Sequence, residues 1–210
     1  MHSHWDTGRT EAFSDGVFAF AITLLVLDIH VPTSEFNHLW RAIGDQWPSY
    51  LGYVTSFLTV GGIWLVHQAM FRRLQYANRR VMQVNLVLLM AVAFLPFPTG
   101  LMAAAIRNTD AERAAVIFYG TSLLVIALLF SALWGAVASD RRLLKPGVTE
   151  KEVDGIARRT TPNLGFYVAV IALALIAPKV AAVGYLVIAI VAVLRARADR
   201  SRTPPTARSA

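Results

Sequence analysis

Six long stretches of this chain run almost without charge: residues 13–31, 49–71, 81–106, 114–138, 163–178 and 180–194. In hydrocarbon a backbone must satisfy its own hydrogen bonds, so such stretches fold as helices or not at all. A helix needs about 17–25 residues to cross roughly 30 Å of lipid interior. The first four stretches meet that length. The last two are shorter and meet at the hairpin Ala177-Pro178-Lys179, which suits a locally thinned bilayer. Composition agrees, with 56% hydrophobic residues, 16% charged and a mean hydropathy of +0.51. A soluble domain carries about 25% charged residues. The expected fold is an all-α integral membrane protein with six transmembrane helices per chain. One domain, residues 1–194, is followed by a disordered cytoplasmic tail, residues 195–210.

The first apolar stretch does not read as a cleaved signal sequence. Its leader MHSHWDTGRTEAFSD mixes both charges, and the small residues Ala19 and Ala21 lie inside the apolar core. Orientation follows from the basic residues. Alternate loops place one before the first span, four between the second and third, six in 139–160 and five in the tail. These are 16 of the 20 Lys and Arg residues, so both termini are expected in the cytoplasm. The same asymmetry accounts for the net charge of +7 as a topology signal rather than a nucleic-acid surface. No cysteine is present, hence no disulfide framework.

The 139–160 loop carries charges of both signs, and a short surface helix is expected after Gly147, with Thr149 as its cap and Glu152 three residues on. The tail beyond Arg195 is too polar and proline-rich to pack. Enzyme signatures are absent: no GxSxG, HExxH, P-loop or dinucleotide fingerprint occurs. Nothing points to a cofactor, a tightly bound metal, a nucleic acid or a soluble substrate. Of the scattered histidines, only His67 lies well inside a span.

Polar residues within spans are either functional or interhelical glue. Here they are Ser14, Asp15, Thr23, Asp28, Thr55, Ser56, Thr59, Trp64, His67, Gln83 and Asn85. On a helix advancing about 100° per residue, Phe20, Leu24 and Leu27 form one stripe. Asp28 lies about 40° from Leu24, at the outer end of the stripe, whereas Asp15 lies about 180° from it. The two carboxylates bounding the first apolar run therefore face different surroundings. A carboxylate away from water must find donors or neutralise. Arg9, Ser14, Trp64, His67 and Asn85 are available to Asp15, which implies a polar knot pinning the first helix to the second and third. A proton or ion relay through Asp15 and His67 is the rival reading. Thr23 offers either a hydroxyl near the stripe or a back-bond to the carbonyl of Ala19.

The stretch Arg9-x-x-x-Phe13-Ser14-Asp15 resembles the RxxxFSD signature of the transmembrane protein 175 family, the endosomal and lysosomal potassium channels of animals and their prokaryotic relatives. Trp64 and His67, then Asn85, then Phe94-Leu95-Pro96-Phe97-Pro98-Thr99 follow in matching order. The text GVFAFAITLLVLDI is similar to prokaryotic members, and the resemblance covers roughly residues 9–100. It implies a potassium-selective channel, a tetramer when each chain has six spans, and a pore lined by the first helix. It also assigns Phe20, Leu24 and Leu27 to a hydrophobic constriction, with Phe20 where relatives carry isoleucine. Arg9 and Phe13 join the structural network on the same ground.

The expected function is passive conduction of K+, with Rb+ and Cs+ admitted and Na+ disfavoured, through a homotetramer in the plasma membrane of a prokaryote. No TVGYG-type filter occurs, so side-chain rings and pore width must select. In a tetramer, four copies of Asp28 ring the outer mouth. The alternatives are a proton pathway or secondary transporter using Asp15 and His67, and a non-conducting scaffold. Transporters of this size often break helices at midspan. The prolines read as lying at or near span ends, which favours the channel.

Overall fold

The computed structural model describes residues 7–106, 108–149 and 164–200. Among these residues eight α-helices follow in order: α1 Thr7–Leu24, α2 Leu39–Asp45, α3 Trp47–Phe71, α4 Arg79–Phe94, α5 Pro96–Ala105, α6 Thr109–Ala138, α7 Leu164–Ala174 and α8 Pro178–Arg200. Four segments are long and apolar enough to cross a membrane: Thr7–Asp28, Trp47–Phe71, Arg79–Ala105 and Ala111–Ala138. They match the first four expected spans. The fifth and sixth appear as shorter apolar helices, Leu164–Ala174 and Pro178–Leu194. At 1.5 Å per residue α7 reaches only about 16 Å, half the hydrocarbon thickness.

Helix α1 begins six residues earlier than expected, because Thr10 and Ser14 are buried and hold its polar first turns against the bundle. It ends as a tighter 3-10 turn, Leu25–Asp28, rather than running to residue 31. Ile29 is already extended, and Pro32 enforces extended backbone just before it.

The third span corrects the placement of the prolines. Pro96 and Pro98 lie within it and divide it into α4 and α5 at Leu95. Pro96 has no N–H to give Val92, so the Val92 carbonyl takes the Leu95 N–H instead, at 3.1 Å. The Leu95 carbonyl then accepts both the Thr99 N–H, at 3.2 Å, and the Thr99 hydroxyl, at 2.8 Å. A broken helix of this kind removes one argument that set a channel apart from a transporter.

Helix α3 is the hub of the bundle. It packs against α1, α5 and α8, while α4, α5 and α8 pack against α6. Small residues permit the close contacts: a Cβ at Gly52 would lie 3.5 Å from Ala103 and Thr99. Gly120 of α6 has no room for a side chain, because the Tyr185 hydroxyl of α8 occupies that space. The core joins Phe18 and Ala21 of α1 to Val60, Met70 and Phe71 of α3, Leu88 and Val92 of α4, and Tyr119 of α6.

At the end of the bundle where α3 stops and α4 starts, the linker after Phe71 pairs with the segment after α6. Leu74 and Leu144 form an isolated antiparallel bridge. The chain turns at Gly147 with φ +93°, a conformation suited to glycine. The surface helix expected beyond it falls largely on residues 150–163, outside the described residues. Helix α8 runs to Arg200, so residues 195–200, expected in the disordered tail, are helical.

Candidate functional site

Helix α1 has two unlike faces. Thr10, Ser14, Phe18, Ala21 and Leu25 are buried at helical spacing against α3 and α4. Arg9, Phe13, Gly16, Phe20, Thr23 and Leu27 form the opposite stripe, exposed among the described residues. Phe20 is 61% exposed and Leu27 68%. Leu24 sits at the edge of this stripe, partly covered. An apolar face that the described residues leave open suits lipid, another copy, or a path between copies.

Behind that face lie two polar clusters. In the first, the Trp64 indole N–H of α3 donates to Asp15 Oδ1 at 2.8 Å. The Gln68 amide, one turn along α3, reaches both Asp15 oxygens at 3.4 and 3.3 Å. In the second, the Asn85 amide of α4 donates to Ser14 Oγ at 3.1 Å, and Ser14 donates to the Thr10 carbonyl at 2.8 Å. Asn85 Oδ1 lies 2.8 Å from His67 Nε2, which places the ring proton on that nitrogen. The His67 ring stacks on Phe71 at 4.4 Å and tilts against Phe18 at 5.3 Å. His67 is thus wedged among aromatic rings with one polar contact.

Sequence reasoning grouped Arg9, Phe13, Ser14, Asp15, Trp64, His67 and Asn85 into one knot around Asp15. The geometry divides them: Asp15, Trp64 and Gln68 on one side, Ser14, Asn85 and His67 on the other. No hydrogen bond joins Asp15 to His67. Arg9 and Phe13 stand outside both clusters, on the open stripe. Gln68 was overlooked, though its spacing of four from Trp64 puts it on the same face of α3. Thr23 bonds to the Phe20 carbonyl at 2.8 Å, not to that of Ala19.

Asp28 is not a free charge at a helix end. Its carboxyl packs on the bare backbone of Gly100 in α5, where an added Cβ would lie 2.7 Å from its atoms. A further cluster lies deeper. Ser56 Oγ of α3 is 2.7 Å from Thr99 Oγ1 of α5 and 2.9 Å from the Tyr119 hydroxyl of α6. Tyr119 meets Tyr185 edge-on at 5.3 Å, and the Tyr185 hydroxyl donates to the Val116 carbonyl at 3.4 Å. Ser56 was visible in the sequence as an intramembrane hydroxyl; its tyrosine partner was not. Among the described residues no group of His, Asp and Glu is arranged to hold a metal ion.

Residues 9–96 match the family model described as the endosomal/lysosomal potassium channel TMEM175. A protein named as a potassium channel in Streptomyces collinus is 43% identical over 157 residues, covering 74% of each chain. The crystal structure of a lysosomal potassium-selective channel TMEM175 homolog from Chamaesiphon minutus superposes with a TM-score of 0.81 at 38% identity. That match covers 90% of this chain and 97% of the other. The Danio rerio protein named as the endosomal/lysosomal proton channel TMEM175 is 36% identical over 150 residues, which is 67% of this chain but 29% of that one. The signature around Arg9 and Asp15, the bundle it builds and the end-to-end likeness to a bacterial homolog agree: this chain belongs to the TMEM175 family.

Proposed function

We propose that this protein is a potassium-selective channel in which four copies of α1 surround the conduction path. One observation carries the proposal. The stripe Phe13–Gly16–Phe20–Thr23–Leu27 is open along the whole of α1, while the opposite face is fixed by two polar clusters. A helix fastened on one side and bare on the other is ready to line an axis once identical copies close around it. The reading includes six spans per chain, with α7 and α8 as a short hairpin in a thinned bilayer, and both termini in the cytoplasm of a prokaryotic cell.

In this arrangement Phe20, Leu24 and Leu27 form stacked rings. Apolar rings of small radius shed water, and an ion that must dehydrate without compensating ligands does not pass; widening the rings restores wetting and conduction. The phenyl face of Phe20 adds a quadrupole that attracts cations. With no carbonyl filter in the sequence, selection of K+, Rb+ and Cs+ over Na+ falls to ring width and to the Thr23 hydroxyl. The names borne by the relatives in Streptomyces collinus and Chamaesiphon minutus support potassium as the permeant ion.

A proton pathway is the second reading, favoured by the name of the Danio rerio relative. Its expected route through Asp15 and His67 lacks a hydrogen-bonded connection between the two. The deciding experiment is ion flux in liposomes reconstituted with the purified protein. A K+ gradient should generate a membrane potential that a Na+ gradient of equal size generates far less. Proton flux without K+ flux would overturn the channel reading in favour of the second.

A further inference from the structure

Two linkers at one end of the bundle are fastened side by side. The Gln75 N–H donates to the Leu143 carbonyl at 2.8 Å, and the Lys145 N–H donates to the Arg73 carbonyl at 2.9 Å. Leu74 and Leu143 are buried beneath the pairing and anchor it to the core. A 3-10 turn, Arg141–Leu143, opens on Asp140, whose side chain accepts the Arg142 N–H at 3.2 Å. The result is a stiff surface rather than two loose loops.

The described part of that surface is strongly basic. Residues 72–80 contribute Arg72, Arg73, Arg79 and Arg80, and residues 139–149 contribute Arg141, Arg142 and Lys145. Asp140 is the single acidic residue in the two segments, and it is occupied by the backbone of its own turn. Among the described residues the Arg72 and Arg73 side chains hydrogen-bond along α3, to Gln68 Oε1 at 3.2 Å and the Ala69 carbonyl at 2.5 Å. Buried Arg73 Nε has no hydrogen-bond partner among the described residues. None of Arg72, Arg73, Arg79, Arg80, Arg142 and Lys145 forms an ion pair within the described residues. A topology signal needs only the count of charges. It does not need two separate linkers pinned together with Arg72, Arg142 and Lys145 exposed side by side and in no ion pair among the described residues.

The level of the platform identifies what neutralises it. It sits where α3 and α6 end and α4 begins, so it lies at the headgroup layer of whatever bilayer these helices span. We infer that the bridged linkers bind the phosphodiester headgroup of an anionic phospholipid, with Arg72, Arg142 and Lys145 as exposed contacts. Guanidinium groups match phosphate oxygens in a planar fork, and clustered basic residues beside a membrane helix draw anionic lipid. This inference rests on the membrane placement of the helices and not on which ion they conduct.

The test is native mass spectrometry of the full-length protein in detergent, titrated with phosphatidylglycerol or phosphatidylcholine of identical acyl chains. The wild type should retain phosphatidylglycerol in preference, and rising salt should weaken that preference. Replacing Arg72, Arg142 and Lys145 with Gln should lower it by about fivefold per charge removed. Lysine at 72 and 142 should preserve it, as should Arg41→Gln with Lys179→Gln at the opposite end. Equal retention of both lipids by the wild type, or a preference indifferent to salt, overturns the proposal without any variant. So does a preference that survives the triple substitution. Displacement of the lipid by glycerol phosphate at matching concentration would identify a site for soluble phosphate instead.

Discussion

Trp64 Nε1 holds Asp15 Oδ1 at 2.8 Å, and this single bond ties the carboxylate of the family signature on α1 to the middle of α3. Gln68 supports it from the next turn with longer contacts to both oxygens. The cluster is partly buried, so the carboxylate needs its donors. Removing Trp64 leaves it with the weaker partner alone.

Trp64→Phe should therefore destabilise the protein by about 1–2 kcal/mol, the cost of leaving a partly buried acceptor under-satisfied. Asp15→Asn, which keeps shape but loses charge-assisted bonding, should cost less. Thermal melting in detergent with chromatographic sizing measures both. If the variants melt and assemble as the wild type does and only the pH dependence of transport moves, Asp15 is part of a relay.

Gly120 of α6 seats the Tyr185 hydroxyl, with no space for a methyl group. Gly120→Ala should cost about 1–3 kcal/mol by overpacking. Tyr185→Phe in the same chain should recover only part of it, since it removes the worst overlap and gives up a long bond to the Val116 carbonyl, 3.4 Å, but leaves the ring Cζ 2.7 Å and Ile171 Cγ1 2.8 Å from the added Cβ. Denaturation of both variants and the double mutant reads the coupling. Additive losses would mean that the two positions do not compete for one space.

How much of this was legible beforehand differs between elements. The first four spans were readable because burial in lipid demands long charge-free runs, and the shared face of Phe20 and Leu27 because 3.6-residue periodicity is fixed, although Leu24 sits at its edge. The division of the polar knot was not readable. Ser14 and Asp15 are adjacent in sequence yet about 100° apart around the helix, so they meet different neighbours, Asn85 on α4 and Trp64 on α3. Helix rotation decides that, and rotation is a property of packing. The break at Leu95 was written in Pro96 and Pro98, but the apolar run continued through them and masked it. Tyr119 was lost for a similar reason. A tyrosine in an apolar span looks like core until the hydroxyl of Ser56 is found 2.9 Å away.

The open stripe on α1 gives a labelling experiment, made clean by the absence of native cysteine. Cysteine at 20 and 27 should react with charged aqueous thiol reagents, and cysteine at 21 and 25, buried against the bundle, should not. Cysteine at 24 should be intermediate. Phe20→Ala should raise cation leak, because a wider apolar ring stays wet. Protection of 20 and 27 within the assembly would put the stripe against lipid or a neighbouring chain, and equal labelling at all positions would remove the distinction between the two faces.

The last prediction concerns Asp28, whose carboxyl rests on Gly100 of α5. In a fourfold assembly this seat would hold four carboxylates at a defined radius around the outer entrance. Such a ring concentrates cations by electrostatic focusing, and salt screens it over about 10 Å at 0.1 M and about 30 Å at 0.01 M. Asp28→Asn should lower inward K+ conductance at low salt, with the deficit shrinking as salt rises and K+/Na+ selectivity nearly unchanged. Gly100→Ala separates charge from seat. It forces the carboxylate aside by a distance far below the screening length, so it should destabilise the protein yet leave the salt dependence intact. Single-channel recording across a salt series distinguishes the two. A salt-independent loss in Asp28→Asn, or a large change in selectivity, would show that Asp28 acts within the selecting path itself and not as a charge at its mouth.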